Sequence, residues 1–375
     1  MKSCSTVLTN RLRGIPAIPG MAPGYGDPGR AILSVCLNLD IVKNRQITLE
    51  TSLVKRLQSK LESRSSRSQA SAIAVGIGDD AAVWRPRVGF EAILTTDWFL
   101  EGRHFLPDLH PAESVGWKCL ARAVSDIAAM CGEPRCFLLS LALPANRTGR
   151  WLDQFLAGLG RASRKLGCPV AGGDSTQHRD ILINITVVGE CRARHAVLRS
   201  GARAGDAIFV TGKLGEAEYG LRLLQNRSAP VALSDPRLRK QLYPQPRLAV
   251  GSWLRKHRLA TSMMDLSDGL SSDLSRLCDA SAVGARIQSA LLPQLSTAKK
   301  DRRATFNVTE LALHGGDDYE LLFTVDKANV SRIPRAIDRI PITRIGTITA
   351  GSKILVTDIS GRTASLENRG WDPFR

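Results

Sequence analysis

GIGDDAAVWRPRVGFEAILTTDWFLEGRHF, residues Gly76 to Phe105, places Asp79, Asp80, Asp97 and His104 beside strand-like segments. Ala92 to Leu94 is an apolar run ending in Thr95, Thr96 and Asp97, which reads as a strand that delivers oxygen ligands at its end. Asp79 and Asp80 precede a second short apolar run, Ala81 to Trp84. Adjacent ionised carboxylates repel, and near a third they are costly unless a cation sits among them, so the stretch points to magnesium. Taken alone, Gly-Asp-Asp is also an ordinary turn and Thr-Thr-Asp an ordinary exposed strand end. Gly76, Gly78 and Ala81 fit a loose dinucleotide fingerprint, but Pro86 leaves no room for the helix that fingerprint needs.

Downstream, Pro111 to Gly132 is a helix of good propensity that stops at a glycine. Lys118, Arg122 and Asp126 recur at spacing four and share a face. Val124, Ile127, Ala128 and Met130 wrap Asp126 in apolar residues, and a carboxylate so placed is either paired or ligating. Phe137 to Leu143 and Ile181 to Val188 read as strands, with a helix from Trp151 to Leu166 between them. With the opening strands this is a split βαβ, ferredoxin-like layer. AGGDSTQ, Ala171 to Gln177, reads as a turn in which two glycines let the backbone approach a phosphate and leave Asp174 free to hold a metal.

The turn-rich SGARAGD, Ser200 to Asp206, marks a domain boundary, placed at 195–196. The second half opens with a strand, Ala207 to Thr211, and a helix from Glu216; its TGK lacks the spacing of a Walker loop. In SMMDLSDGLSSDL, Ser262 to Leu274, a strand ends on Asp265, Ser267 and Asp268, and a helix starts at Gly269. Helix amides attract anions and the carboxylates attract cations, so this turn suits a magnesium nucleotide. LHGGDDYELLFT, Leu313 to Thr324, sets a glycine pair and an acid pair before another strand.

A chain of 375 residues, 43% apolar, has room for two cores. No apolar run approaches the ~18 residues of a membrane span. Eight cysteines without a C-x-x-C pair suggest neither a zinc knuckle nor a disulfide framework and fit a reducing cytoplasm. The net charge of +17 invites nucleic acid, but residues 1–70 alone supply +7 of it, and no reading motif interleaves the rest. A basic face for phosphorylated small molecules explains it as well. Residues 1–45 carry too many Gly and Pro for a packed element and read as a disordered or mis-started leader, with Met21 as an alternative start. Leucines every four residues predict a short helix over 48–61, followed by a Ser/Arg-rich loop over 63–71.

From about Leu49 to Phe374 the ordered motifs GIGDDAAV, TTDWFLEGRHF, SDIAAMCGEP, GGDSTQ, LRSGARAGD, TGKLGEA, MDLSDGLSSDL and HGGDDYELLFT resemble the thiamine-monophosphate kinases. These belong to a superfamily that includes aminoimidazole ribonucleotide synthetase and selenophosphate synthetase. The resemblance implies an α+β subunit: a ferredoxin-like domain over 46–195 that pairs with its twin in a homodimer, and an α/β domain over 196–375. It implies ATP-dependent phosphorylation of thiamine monophosphate to thiamine diphosphate with several Mg²⁺ ions. It further implies Asp80, Thr95, Thr96, Asp97, Asp126, Asp174, Asp265 and Asp268 as metal ligands, and Gly173, Asp174, Arg199 and Ser267 as ATP contacts. His104, Asp317 and Trp371 match contacts to the thiamine substrate. Asp97, Asp126, Asp268 and Arg199 are the expected catalytic group.

Three departures stand out: Asp317 where the family has Glu, Ala123 where it has Asn, and Arg103 at an apolar position. A purine-pathway relative is the rival enzyme, and TTDWFLEGRHF and GGDDYELLFT argue against it. Selenophosphate synthesis wants a reactive amino-terminal Cys in a Gly-rich loop, and the early cysteines are Cys4 and Cys36. A non-catalytic basic phosphate- or nucleic-acid-binding protein gains nothing from six carboxylates facing a polyanion.

Overall fold

The computed structural model describes residues 56, 59, 73–77, 80–226, 230–295 and 307–374. The leader over 1–45, most of the 48–61 helix, the 63–71 loop and Asp79 lie outside them.

A two-stranded ribbon, β1 (Ile73–Val75) and β2 (Val83–Trp84), precedes a four-stranded sheet. That sheet is built in the chain order β3 (Phe90–Leu100), α1 (Ala112–Ala129), β4 (Glu133–Leu143), α2 (Arg150–Leu166), β5 (Val170–Gln177), β6 (Leu182–Arg192). Its strands lie in the order β3-β6-β4-β5, antiparallel except for β4 and β5, which run parallel because α2 crosses over between them. The sheet with two helices on one face is the layer the sequence predicts.

The residues explain how tightly this layer closes. A side chain at Gly116 of α1 would collide with the Phe155 carbonyl of α2, and one at Gly158 of α2 with the Glu113 carbonyl of α1. The helices therefore meet backbone to backbone. On β3, Ile93 and Phe99 are buried under α1, whereas the alternate residues Leu94 and Trp98 face outward, 69% and 56% exposed. The outer face of this sheet is bare and partly apolar.

Two expectations need correction here. AGGDSTQ is not a turn but β5, a strand at the sheet edge. Its Gly173 lets β5 lie close against β4, since a Cβ there would collide with the Leu139 carbonyl. Asp97 does not end its strand either, because β3 continues through Leu100.

The second half comprises β7 (Ala207–Thr211), α3 (Glu216–Gln225), α4 (Arg239–Leu242), α5 (Leu248–His257), β8 (Ala260–Leu266), α6 (Leu270–Ser281) and β9 (Gly284–Gln288). It continues with α7 (Val308–His314), β10 (Glu320–Val325), β11 (Ala336–Ile337), β12 (Ile340–Thr349), β13 (Ile354–Thr357) and β14 (Thr363–Ser365). The sheet order is β14-β13-β9-β12-β7-β10-β8, with β11 paired to β12. Both faces are buried: Val210, Met264 and Leu322 enter one core, and their neighbours Phe209, Met263 and Phe323 enter the other. Helix α1 joins the halves, since a side chain at Gly251 of α5 would come within 2.5 Å of the Ala128 carbonyl. That contact sets Asp126 of α1 opposite the end of β8.

Candidate active site

Alternation along β3 sends Thr95 and Asp97 inward toward α1 and Thr96 outward. The Thr95 hydroxyl donates to the Asp126 carboxylate, while Thr96 bonds Asn184 and Thr186 on the sheet's outer side. Asp97 and Asp126 meet Asp265 and Asp268 from the end of β8 along one cleft of about 780 Å³.

The electrostatics there are strained. Burial pushes the Asp97 carboxyl above its ordinary range, with Asp268 and Asp317 adding to the effect against Arg122. Burial and the neighbouring Asp97 push Asp126 up to about 6. Asp265, which is buried, is raised well above the ordinary range by burial and by Asp126. Carboxylates that suppress one another's ionisation are relieved by a cation placed among them.

The turn after β8 is shaped by Asp273. Its carboxylate accepts from the amides of Ser267, Asp268 and Gly269 at 3.1, 3.0 and 3.1 Å, so those three amides are spent within the protein and do not face a phosphate. Burial and Asp268 push Asp273 up to about 7. Arg276, one turn further along α6, bonds both Asp268 and Asp273.

The cleft also has an aromatic wall. His104 packs against Trp371 with ring centroids 5.3 Å apart and the rings tilted by 53°, and Trp371 is pinned by its amide to the Asp268 carbonyl at 2.9 Å. The Leu100 amide donates to His104 Nδ1 at 3.0 Å, and burial together with Arg122 lowers the imidazole to about 4, so it is neutral at pH 7. Asp317 and Tyr319 both have positive φ, 67° and 50°, and are held there by amide bonds to Ser267 and Leu266 carbonyls. The wholly buried Lys118 donates to Asp317 Oδ2 at 2.8 Å and the Tyr319 hydroxyl to Oδ1 at 2.6 Å. Against the effect of burial, Lys118 and Arg122 hold this carboxyl well below the usual range.

The cleft thus collects Asp97, Asp126, Asp265, Asp268, Ser267 and Arg199 with His104, Asp317 and Trp371. Thr95 reaches it through Asp126. Asp80, Thr96, Gly173 and Asp174 do not line it. Asp97 pairs across Ile185 and Leu139 to Gly173, so three strand spacings, about 14 Å, separate β3 from β5. The loop carrying Asp80 begins on the β5 side, where a Cβ on Gly76 would lie 3.9 Å from the Ala171 carbonyl. The predicted ligands therefore divide: Thr95, Asp97, Asp126, Asp265 and Asp268 meet at the cleft, Thr96 faces the outer side of the sheet, and Asp174 lies on β5 at its far edge. Lys118, Arg122, Tyr319, Asp273 and Arg276 escaped the site reading. Only the spacing of Lys118, Arg122 and Asp126 signalled any of them.

An acid-lined cleft between a two-helix, four-stranded layer and a larger mixed sheet defines a class, that of the AIR synthase related proteins. Residues 78–191 match that family's N-terminal domain and residues 203–359 its C-terminal domain. Within the class, the chain belongs to the thiamine-monophosphate kinase family. It is 37% identical to the thiamine-monophosphate kinase of Escherichia coli over 329 residues, covering 87% of this chain and 98% of that one. The Bacillus subtilis thiamine-monophosphate kinase is 35% identical over 314 residues, 81% and 95% of the two chains. The crystal structure of thiamine-monophosphate kinase from Stenotrophomonas maltophilia superposes with a TM-score of 0.70 at 32% identity, over 80% of this chain and 96% of that one. AaThiL complexed with AMPPCP and TMP superposes at 0.68 with 33% identity, over 87% and 97%.

Proposed function

We propose that the chain transfers the γ-phosphoryl group of MgATP to the phosphate of thiamine monophosphate, giving thiamine diphosphate and ADP. The observation that carries this reading is the cleft itself, lined both by four carboxylates with Arg199 and by the His104–Trp371 wall. The first set suits a metal-bound polyphosphate and the second a flat heteroaromatic cation. Relatives that are thiamine-monophosphate kinases, one solved with AMPPCP and TMP, support the same substrates. They also favour this reading over the purine-pathway alternative.

The acceptor oxygen is already ionised, so the reaction needs no general base, and a neutral His104 fits that requirement. The barrier is the approach of two polyanions: unit charges ~4 Å apart repel by ~4 kcal/mol at an effective dielectric near 20. Arg199 and Arg122 line the cleft as fixed positive charge, and the His104–Trp371 wall orients the ring so that its phosphate faces the acids.

The donor set fits magnesium. All four groups are hard carboxylate oxygens, and burial makes their shared negative charge costly. Among the described residues no three acids close on one point. Mg²⁺ asks for less, since it is commonly held by one or two carboxylates with substrate phosphates and water completing the shell. Bound there, magnesium would neutralise phosphate charge.

We further propose a homodimer in which Asp80, Thr96, Gly173 and Asp174 complete the site of the other copy. The support is the bare sheet face around Leu94 and Trp98 and the separation of β5 from Asp97. The domain division at 195–196 is likewise ours and agrees with the gap between the two matched ranges. No helix among the described residues is long and apolar enough to cross a membrane, and a cytoplasmic location is the reading we carry from the cysteine usage. The test is a panel of phosphorylated acceptors offered with MgATP. Turnover of another acceptor in place of thiamine monophosphate would refute the assignment.

A further inference from the structure

Helix α1 presents three charged groups to the cleft side at successive turns, each about 6 Å along the axis from the last. Lys118 is committed to Asp317, and Asp126 accepts from Thr95. Arg122, between them, has no such commitment. Its Nε is buried without a hydrogen-bond partner, and among the described residues no carboxylate lies within ion-pair distance of its guanidinium. Its guanidinium carbon lies 5.2 Å from the centroid of the Phe99 ring, and it lines the cleft. Asp97, Asp317 and Asp268 act on Arg122 only at longer range, so its buried hydrogen-bond donor is left for a ligand to satisfy.

The placement identifies which anion. Lys118 and Asp317 belong to the wall that holds the ring, and Asp126 belongs to the acids. A substrate with its ring on the wall must carry its own phosphate between the two. We propose that Arg122 is the receptor for the acceptor's phosphate monoester, forming a charge-assisted hydrogen bond to it before and during transfer, while Arg199 serves the nucleotide. This rests on the kinase reading for the identity of the acceptor. Arg122 then selects for phosphorylated over unphosphorylated ring compounds.

The test compares the wild-type chain with Arg122→Met and Arg122→Lys, titrating thiamine monophosphate and unphosphorylated thiamine separately and measuring KM for both substrates. In the Met variant, affinity for thiamine monophosphate should fall about 10- to 100-fold, while thiamine affinity and the KM for MgATP change by less than about threefold. The Lys variant should recover part of the loss, and it carries the test if the Met variant melts early. Equal weakening of both ligands, a rise in the MgATP KM alone, or no change would each overturn the proposal. If the wild-type chain makes no thiamine diphosphate yet the Arg122→Met variant loses the wild-type preference for the phosphorylated ligand, the kinase reading fails and the phosphate receptor stands.

Discussion

Asp97 and Asp268 face the same cleft with different partners. Asp268 is paired with Arg276, whereas the charge nearest in effect to Asp97 is Arg122, which lies beyond ion-pair distance. Asp97→Asn should therefore abolish turnover while leaving the melting temperature of the metal-free protein unchanged or higher, because it removes repulsion. Asp268→Asn should also abolish turnover, but it gives up a partly exposed ion pair worth about 0–1 kcal/mol, so its melting temperature should hardly move. Calorimetry of both variants without added magnesium checks this, and a large loss of stability with activity retained would make the acids structural. Asp265 and Asp268 were legible in the sequence because Asp beside Ser and Gly at an element end is a local pattern, Asp97 because it follows an apolar strand run, and Asp126 because apolar residues wrap it. Their counter-charges were not: Lys118 finds Asp317 across 199 positions of sequence, a pairing that only the packing of α1 against the second half creates.

Strand β10 carries the clearest structural ion cluster. Glu320, fully buried, accepts from Arg247, Lys240 and Thr211 and so ties the α4–α5 segment to the sheet. Burial alone would raise its pKa, yet Lys240 and Arg247 lower it from 4.5 to about 2. The unfolded chain then binds more protons than the native one between those values. The contribution is present above pH 4.5, on the order of 3 kcal/mol, and is lost as pH falls toward 2. Glu320→Gln should cost several kcal/mol, about 3–5, and flatten acid denaturation in that window, which urea melts at stepped pH would read. In this half β7, β8, β10, α3 and α6 were legible from apolar runs and turns, whereas α4, α5, β9 and α7 were not read. In the first half β5 was missed, because AGGDSTQ has turn composition, and parallel pairing with β4 overrides its weak strand propensity. The length of β3 was also missed, since Thr95, Thr96 and Asp97 look like the end of an apolar run, although their pairing continues with β6.

For the whole molecule, the proposed homodimer rests on the bare outer face of the first sheet and on the split ligand set. Trp98→Asp with Leu94→Asp should yield a monomer by sedimentation and lose most activity while keeping its fold by circular dichroism. A fully active monomer would show that Asp174 is not needed from a partner. The two-domain plan was readable because its motifs span most of the chain in order, whereas the gap of about 14 Å between Asp97 and β5 follows from strand order, which sequence does not disclose. The most direct measurement is product analysis of the purified chain with MgATP and thiamine monophosphate. Thiamine diphosphate and ADP should form in equal amounts, and chelating the magnesium should stop the reaction. ATP consumed with thiamine monophosphate untouched, or a phosphoryl group delivered to a different acceptor, would contradict the account.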